Sequence, residues 1–182
     1  RDAKTAKMLA DAGVTPQALN NVINELRQGR RADSASAESQ YEALKKYTRR
    51  DDIVLATKLF QPMHQGPGGG GLSRKAVMEQ VDASLARLGT DYIDLYQIHR
   101  FDPNTPIEET MEALHDVVKA GKVRYLGSST YPPSAIVEAQ WAAERRNTQR
   151  FVCEQPPYSL LVRGVEAEVL PEQKSAVVKR YR

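Results

Sequence analysis

Between residues 51 and 155, apolar runs rich in β-branched residues alternate with helical patterns, and this alternation constrains the fold more than any other feature. Four runs predict strands, at residues 53–57, 92–99, 123–127 and 151–155. The segments between them carry apolar residues at helical spacing. Strands that alternate with helices form βα units with parallel strands and right-handed crossovers. The sequence therefore predicts an α/β fold with about four parallel strands, adjacent in chain order.

Local signals mark the ends of the three intervening helices. Ser73 is predicted to cap the first helix, and Gly89 is predicted to end it. Pro106 is predicted to start the second helix and Gly121 to end it. The third helix is predicted to have Ser134 as its N-cap.

Length and composition exclude several classes of protein. The chain has 182 residues, whereas a complete (β/α)8 barrel usually needs about 250. The net charge of +3 is too small to favour nucleic-acid binding. No run of about 18 apolar residues predicts a membrane span. The single cysteine, Cys153, excludes an internal disulfide and a cysteine-cluster metal site, and we expect no metal and a cytoplasmic location.

The two ends of the chain differ from the middle. Residues 1–49 predict a helical appendage in which a linker of small and polar residues, 30–37, precedes a short helix. Residues 50–170 form the predicted α/β part, and residues 171–182 predict a helical tail that Pro171 restarts. The first residue is Arg1 rather than methionine, so we expect the chain to be a fragment.

Four motifs in the α/β part carry a family resemblance: Asp52–Lys58, Leu88–Arg100, Gly121–Ser129 and Glu154–Ser159. With their order and spacing, residues 51 to about 170 resemble an aldo-keto reductase, in the bacterial branch similar to potassium-channel β subunits. The resemblance implies an incomplete (β/α)8 TIM barrel. It also implies NADPH-dependent reduction of a small aldehyde or ketone.

A second resemblance concerns the N-terminal segment. Ala10–Leu19 and Tyr41–Tyr47 resemble the end of the N-terminal domain of a ClpB-type disaggregase, without any of its ATPase machinery. Two alternatives to a reductase follow from it. The chain could be a non-enzymatic interaction module related to chaperones, or a composite, or chimera, of several proteins.

The aldo-keto reductase resemblance implies that Lys58 and His99 are catalytic. Both residues end predicted strands, where barrel enzymes place their chemistry. The family also uses an aspartate and a proton-donating tyrosine on the segment before the lysine strand. That motif has no counterpart here, because Asp33, Tyr41 and Tyr47 do not follow its pattern.

The resemblance also implies a binding site for the nicotinamide of NADPH. Ser128 and Ser129 match the family's pair beside the carboxamide, Gln155 matches its amide partner, and Tyr158 matches the stacking aromatic. The family's basic phosphate-binding loop has no match after Leu170. The glycine run that begins at Gly66 lacks the Gly-Lys-Ser/Thr order of a phosphate loop and predicts a surface loop.

These observations predict weak or absent carbonyl reduction by this chain. A small carbonyl compound is the expected substrate, and neither nucleic acid nor membrane is an expected partner. Because a half barrel exposes two strand edges, a second copy of the chain is a plausible partner.

Overall fold

The computed structural model describes residues 45–171. The chain divides into two compact units, Arg1–Ile53 and Val54–Arg182. In the described part of the first unit, a short 3-10 helix spans Arg50–Asp52. The helices predicted within residues 1–44, and the predicted tail after Pro171, lie outside the described residues.

The second unit alternates strands and helices along the chain. Its elements are β1 (Ala56–Leu59), α1 (Arg74–Leu88), β2 (Ile93–Ile98), α2 (Ile107–Lys119), β3 (Val123–Ser128), α3 (Pro133–Arg146) and β4 (Phe151–Glu154). The strands form one parallel sheet in the order β1-β2-β3-β4. This arrangement confirms the predicted α/β fold of four parallel strands, which is part of a (β/α)8 barrel.

Most of the predicted helix boundaries are confirmed. The Ser73 hydroxyl accepts a hydrogen bond from the N–H of Ala76, and Gly89 ends α1 in the left-handed conformation. Gly121, with φ +78°, follows the end of α2. Ser134 is not an N-cap, because α3 already starts at Pro133, whose fixed φ suits a first helical position.

The first strand lies about three residues later than predicted. The N–H of Leu55 donates to the side-chain carboxylate of Asp94 on β2 at 2.9 Å, instead of to a backbone carbonyl of that strand. Val54, which the pattern placed in the strand, is 78% exposed. As a result, Lys58 lies within β1 rather than just after it.

The helices pack on one face of this sheet, where the core lies. α1 contacts β1, α2 contacts β3, and α2 also packs against α1 and α3. The largest fully buried side chains include Tyr96, Leu72, Ile93, Ile98, Met111, Leu114 and Leu126. The other face is more open, since Tyr125 on β3 is 59% exposed. None of the helices in residues 45–171 is long and apolar enough to span a membrane.

Candidate active site

The carboxyl ends of the four strands bring together four of the residues singled out in the sequence. Lys58 lies on β1, and His99, Ser129 and Gln155 directly follow β2, β3 and β4. Backbone hydrogen bonds continue past the ends of the strands. The N–H of His99 donates to the carbonyl of Leu59 at 3.0 Å, so the ends of β1 and β2 are held side by side.

Strand alternation places these four residues on one face of the sheet. Lys58 pairs in register with Gln97, and His99 lies two residues after Gln97, so both project to the side away from the helices. Ser128 pairs with Ile98 and with Glu154. Ser129 and Gln155 follow those positions by one residue and therefore share the face of His99.

The electrostatic surroundings of His99 connect it to Lys58. Partial burial lowers the pKa of His99 below its ordinary value of 6.5. The positive charges of Lys58 and Arg100 lower the pKa further. His99 is therefore neutral at neutral pH, and one of its ring nitrogens then carries a proton that it can donate in a hydrogen bond.

Ser129 is fixed by a contact across the next pair of strands. Its hydroxyl donates to the backbone carbonyl of Gln155 at 2.8 Å, and the N–H of Gln155 donates to the carbonyl of Ser128 at 2.9 Å. Gln155 is exposed at this edge, whereas Ser129 is only 3% exposed. The amide side chain of Gln155 can donate and accept hydrogen bonds, and the Ser129 hydroxyl keeps lone pairs beside it.

Ser128 and Tyr158 do not join this cluster in the same way. The Ser128 side chain is fully buried on the helix-facing side, and its hydroxyl has no hydrogen-bond partner in the described part of the chain. Tyr158 lies in the segment after β4, where its hydroxyl donates to Glu166 at 2.7 Å. This hydrogen bond and the Glu166 charge raise the pKa of Tyr158. Its ring remains exposed.

Two strained residues at the same edge were not found from the sequence. Phe60 has φ 126° just after β1, and Thr130 has φ 55° two residues after β3. Such conformations are unfavourable for residues other than glycine, and they cluster at functional sites. No sequence signal identifies them, because both residue types are typical of strands and cores.

The glycine-rich segment after β1 forms one wall of a cavity of about 520 Å³. The cavity is lined by Phe60, Pro62, His64, Gly66, Gly70, Gly71, Leu72, Ser73, Asp102, Asn104 and Thr105. This segment does not offer the N-terminus of α1 to a phosphate. The N–H of Arg74 donates to Glu109, and the N–H of Ala76 donates to Ser73. Across residues 45–171, no group of three or more His, Cys, Asp or Glu side chains could hold a metal ion.

The sequence is similar to that of one known protein family and of several of its relatives. A sequence model of the aldo/keto reductase family matches residues 32–175. An aldo-keto reductase of Alternaria alternata is 55% identical over 100 residues, which cover 55% of this chain and 27% of that protein. An uncharacterized oxidoreductase of Bacillus subtilis is 45% identical over 127 residues, covering 68% and 39% of the two chains. A probable voltage-gated potassium channel subunit beta of Arabidopsis thaliana is 44% identical over 124 residues, covering 68% and 38%.

The matches cover only part of each relative, and the family match reaches into the N-terminal segment of this chain. The chain spans between about a quarter and two-fifths of the length of these curated relatives. The family match begins at residue 32, so it includes the segment Tyr41–Tyr47, for which the sequence predicts a resemblance to a disaggregase. These matches do not show the disaggregase resemblance, which stays a prediction.

Proposed function

The chain belongs to the aldo/keto reductase family, and on that premise we propose that its Lys58–His99 site serves the NADPH-dependent reduction of a small aldehyde or ketone. The observation that carries this proposal is the placement of Lys58 and His99 on one sheet face at the carboxyl ends of adjacent strands. The carboxyl ends of the strands are where barrel enzymes carry their active sites.

Reduction of a carbonyl adds a hydride to carbon and a proton to oxygen. NADPH, when bound, supplies the hydride. The Lys58 ammonium and a ring N–H of neutral His99 would both donate to the carbonyl oxygen and would stabilise the negative charge that develops there, and water would supply the proton that completes the alcohol. Because their strands are hydrogen-bonded directly to each other, the two donors need little reorganisation to act together.

The residues at the edge of β3 and β4 fit the nicotinamide end of the cofactor. Ser129 is 3% exposed, and its hydroxyl, which donates to the Gln155 carbonyl, keeps lone pairs that can accept from a carboxamide placed against it. The exposed Gln155 amide can both donate and accept, and the exposed Tyr158 ring in the segment after β4 offers a stacking face. Ser128 has no part in this proposal, since its hydroxyl is buried on the opposite face.

We expect turnover by this chain to be slow or absent. The family's tyrosine proton donor has no counterpart in a matching motif here, and neither does its phosphate-binding loop. Loss of a positioned general acid typically lowers a rate by ~10²–10⁴-fold. Binding energy from remote parts of a cofactor also positions the reacting ring, so a weakly held cofactor reacts slowly.

A titration with NADPH, followed by nicotinamide fluorescence, tests the cofactor part of this proposal. We expect weak but saturable binding that Ser129→Ala and Gln155→Ala each weaken further. Ser128→Ala is the matched control and should leave the affinity unchanged. Absence of saturable binding, or equal affinities for all of the variants, would overturn the assignment.

We also propose that a second copy of the chain pairs with an edge of the sheet. Within the described residues, β1 and β4 each pair with a neighbour on one side only, and Val152 on β4 is exposed. Light scattering should show a dimer that Val152→Lys dissociates. A monomer at all concentrations would contradict this proposal.

The single cysteine supports a reducing compartment, and we propose the cytoplasm.

A further inference from the structure

We propose that Asp102 is a positioning residue that ties the loop after Lys58 to the loop after His99. This inference rests on the proposed function, because it assigns Asp102 a role in holding the two catalytic residues in place. Asp102 was not singled out in the sequence, and it touches neither of them directly in any hydrogen bond of the described residues.

The Asp102 carboxylate is buried and well supplied with donors. It is 7% exposed and accepts three hydrogen bonds. One of its oxygens accepts from the N–H of Leu72 and from the hydroxyl of Thr105, both at 2.9 Å. The other oxygen accepts from the N–H of Asn104 at 3.0 Å. Burying a carboxylate is costly without such partners, so this position favours a residue that can accept all three bonds.

The bond to Leu72 reaches out of the Asp102 loop and into the glycine-rich segment. Two of the three bonds, to Asn104 and Thr105, lie within the loop itself and would suffice for a local turn. Leu72 is 30 residues away in the chain. Its carbonyl accepts a second bond from the buried hydroxyl of Thr110 at 3.1 Å, so both backbone groups of Leu72 are anchored.

A backbone hydrogen bond also closes the glycine-rich segment, one residue before Leu72. The N–H of Gly71 donates to the carbonyl of Phe60 at 2.8 Å. Gly71 has φ +78°, and a Cβ added there would lie 2.9 Å from an Asp102 oxygen. Glycine is therefore required both by the backbone conformation and by the close approach of the carboxylate.

These contacts close a ring through the candidate active site. Phe60 lies two residues after Lys58, and Asp102 lies three residues after His99. The ring runs from Lys58 through Phe60, Gly71 and Leu72 to Asp102, then back along the chain to His99. It closes where the N–H of His99 donates to the carbonyl of Leu59. Opening the ring at Asp102 should loosen Lys58 relative to His99.

The titration of His99 followed by NMR, together with amide exchange at Leu72, tests this inference without turnover or cofactor. In Asp102→Asn we expect the pKa of His99 to rise toward its ordinary 6.5, because loosening the two loops makes His99 less buried and holds Lys58 near it less firmly. We expect the Leu72 amide to exchange about tenfold faster, because the amide that replaces the carboxylate has one acceptor oxygen for three donors and no negative charge to strengthen the hydrogen bond. Direct loss of a nearby negative charge would lower the His99 pKa instead, so the sign distinguishes the two causes.

Three further variants complete the experiment. Asp116→Asn removes an exposed carboxylate on α2 that pairs with Arg74, and it should change neither the His99 pKa nor the exchange rate of the Leu72 amide. Thr105→Val keeps the Asp102 charge but removes one hydrogen bond, so it should raise both the pKa and the exchange rate, by less than Asp102→Asn does. If Asp102→Asn fails to fold, Thr105→Val tests the inference in its place. In a Lys58→Met background, the effect of Asp102→Asn on the His99 pKa should be measurably smaller, because the contribution of the Lys58 charge is then absent.

Three results would overturn the inference. The first is an unchanged or lowered His99 pKa in both Asp102→Asn and Thr105→Val. The second is unchanged exchange at Leu72 in these variants. The third is an undiminished pKa effect in the Lys58→Met background, which would show that Asp102 affects only the burial of His99. Failure of the proposed function would appear separately, as absent cofactor binding with these results intact.

Discussion

The hydroxyl of Ser129 donates a 2.8 Å hydrogen bond to the backbone carbonyl of Gln155, beyond the last paired residues of β3 and β4. This contact fixes the side of the candidate active site that faces the proposed nicotinamide position. Ser128, one residue earlier, points to the helices with its hydroxyl unpaired in the described part of the chain. Adjacent serines of the same sequence motif therefore have different surroundings.

The difference predicts opposite effects of two alanine substitutions on stability. Ser129→Ala should lower the free energy of unfolding by about 1 kcal/mol, because it removes a hydrogen bond between strands. Ser128→Ala should be neutral or slightly stabilising, because it removes a buried hydroxyl without a partner. Urea unfolding of both variants measures this. Equal losses in the two variants would contradict the assigned orientations.

A second prediction concerns Gly127, at the irregular step between β3 and β4. A Cβ at Gly127 would lie 2.8 Å from the Cys153 sulfur and 3.1 Å from the Gln97 Cγ. Gly127→Ala should therefore lower the free energy of unfolding by about 1–3 kcal/mol through overpacking, as measured by urea unfolding. Gly164→Ala is the control, because a Cβ there meets no atom within 4 Å, and it should change stability by less than about 0.5 kcal/mol.

A third prediction concerns acid stability. The folded pKa of His99 lies below its unfolded value of 6.5, so between the two values the unfolded state binds more protons. His99 therefore makes the fold less stable as the pH falls through 6.5. His64 has the opposite sign, because the Gln65 carbonyl and the Glu79 carboxylate raise its pKa. It contributes stability below its unfolded pKa, and that stability is lost as the pH rises through its folded pKa.

Urea midpoints measured at a pH about one unit above and one unit below the ordinary histidine pKa check both signs. His99→Gln should reduce the loss of stability on acidification, and His64→Gln should increase it. The reverse ranking would contradict the surroundings described for the two imidazoles.

A fourth prediction concerns the N-terminal segment and rests on sequence alone. Residues 1–48 are predicted to form a short helical unit weakly joined to the sheet, and the small and polar residues 30–37 predict a linker within that unit. Limited proteolysis should therefore cut first between Gly29 and Glu38. Early cleavage within residues 75–160 instead, with residues 29–38 resistant, would show that the division is misplaced.

The sequence predicts the sheet well because the fold depends on periodicity and on helix signals. Ser73, Gly89 and Gly121 mark helix ends by their own backbone and side-chain chemistry, which needs no knowledge of distant residues. β1 was predicted to start about three residues too early, because the carboxylate of Asp94, far along the sequence, accepts the hydrogen bond from the N–H of Leu55. Nothing in the apolar run itself indicates this distant acceptor.

The site was predictable to the extent that strand ends meet at one edge. Lys58, His99, Ser129 and Gln155 lie together there because parallel strands place their carboxyl ends side by side. Asp102 and the strained Phe60 could not be found in this way. Their roles depend on contacts between loops, Leu72 with Asp102 and Gly71 with Phe60, which no spacing in the sequence encodes.

The central claim is that Lys58 and His99 act together on a carbonyl. Its most direct test is the rate of hydride transfer from NADPH to a panel of aromatic aldehydes and small diketones, measured with Lys58→Met and His99→Ala. Lys119→Met and His115→Ala are the matched controls, because both lie on α2, away from the strand ends. We predict at most a slow rate, and any rate above the background without protein should be lost in the first two variants and kept in the controls. A rate above that background that is the same in wild type, Lys58→Met and His99→Ala would contradict the account.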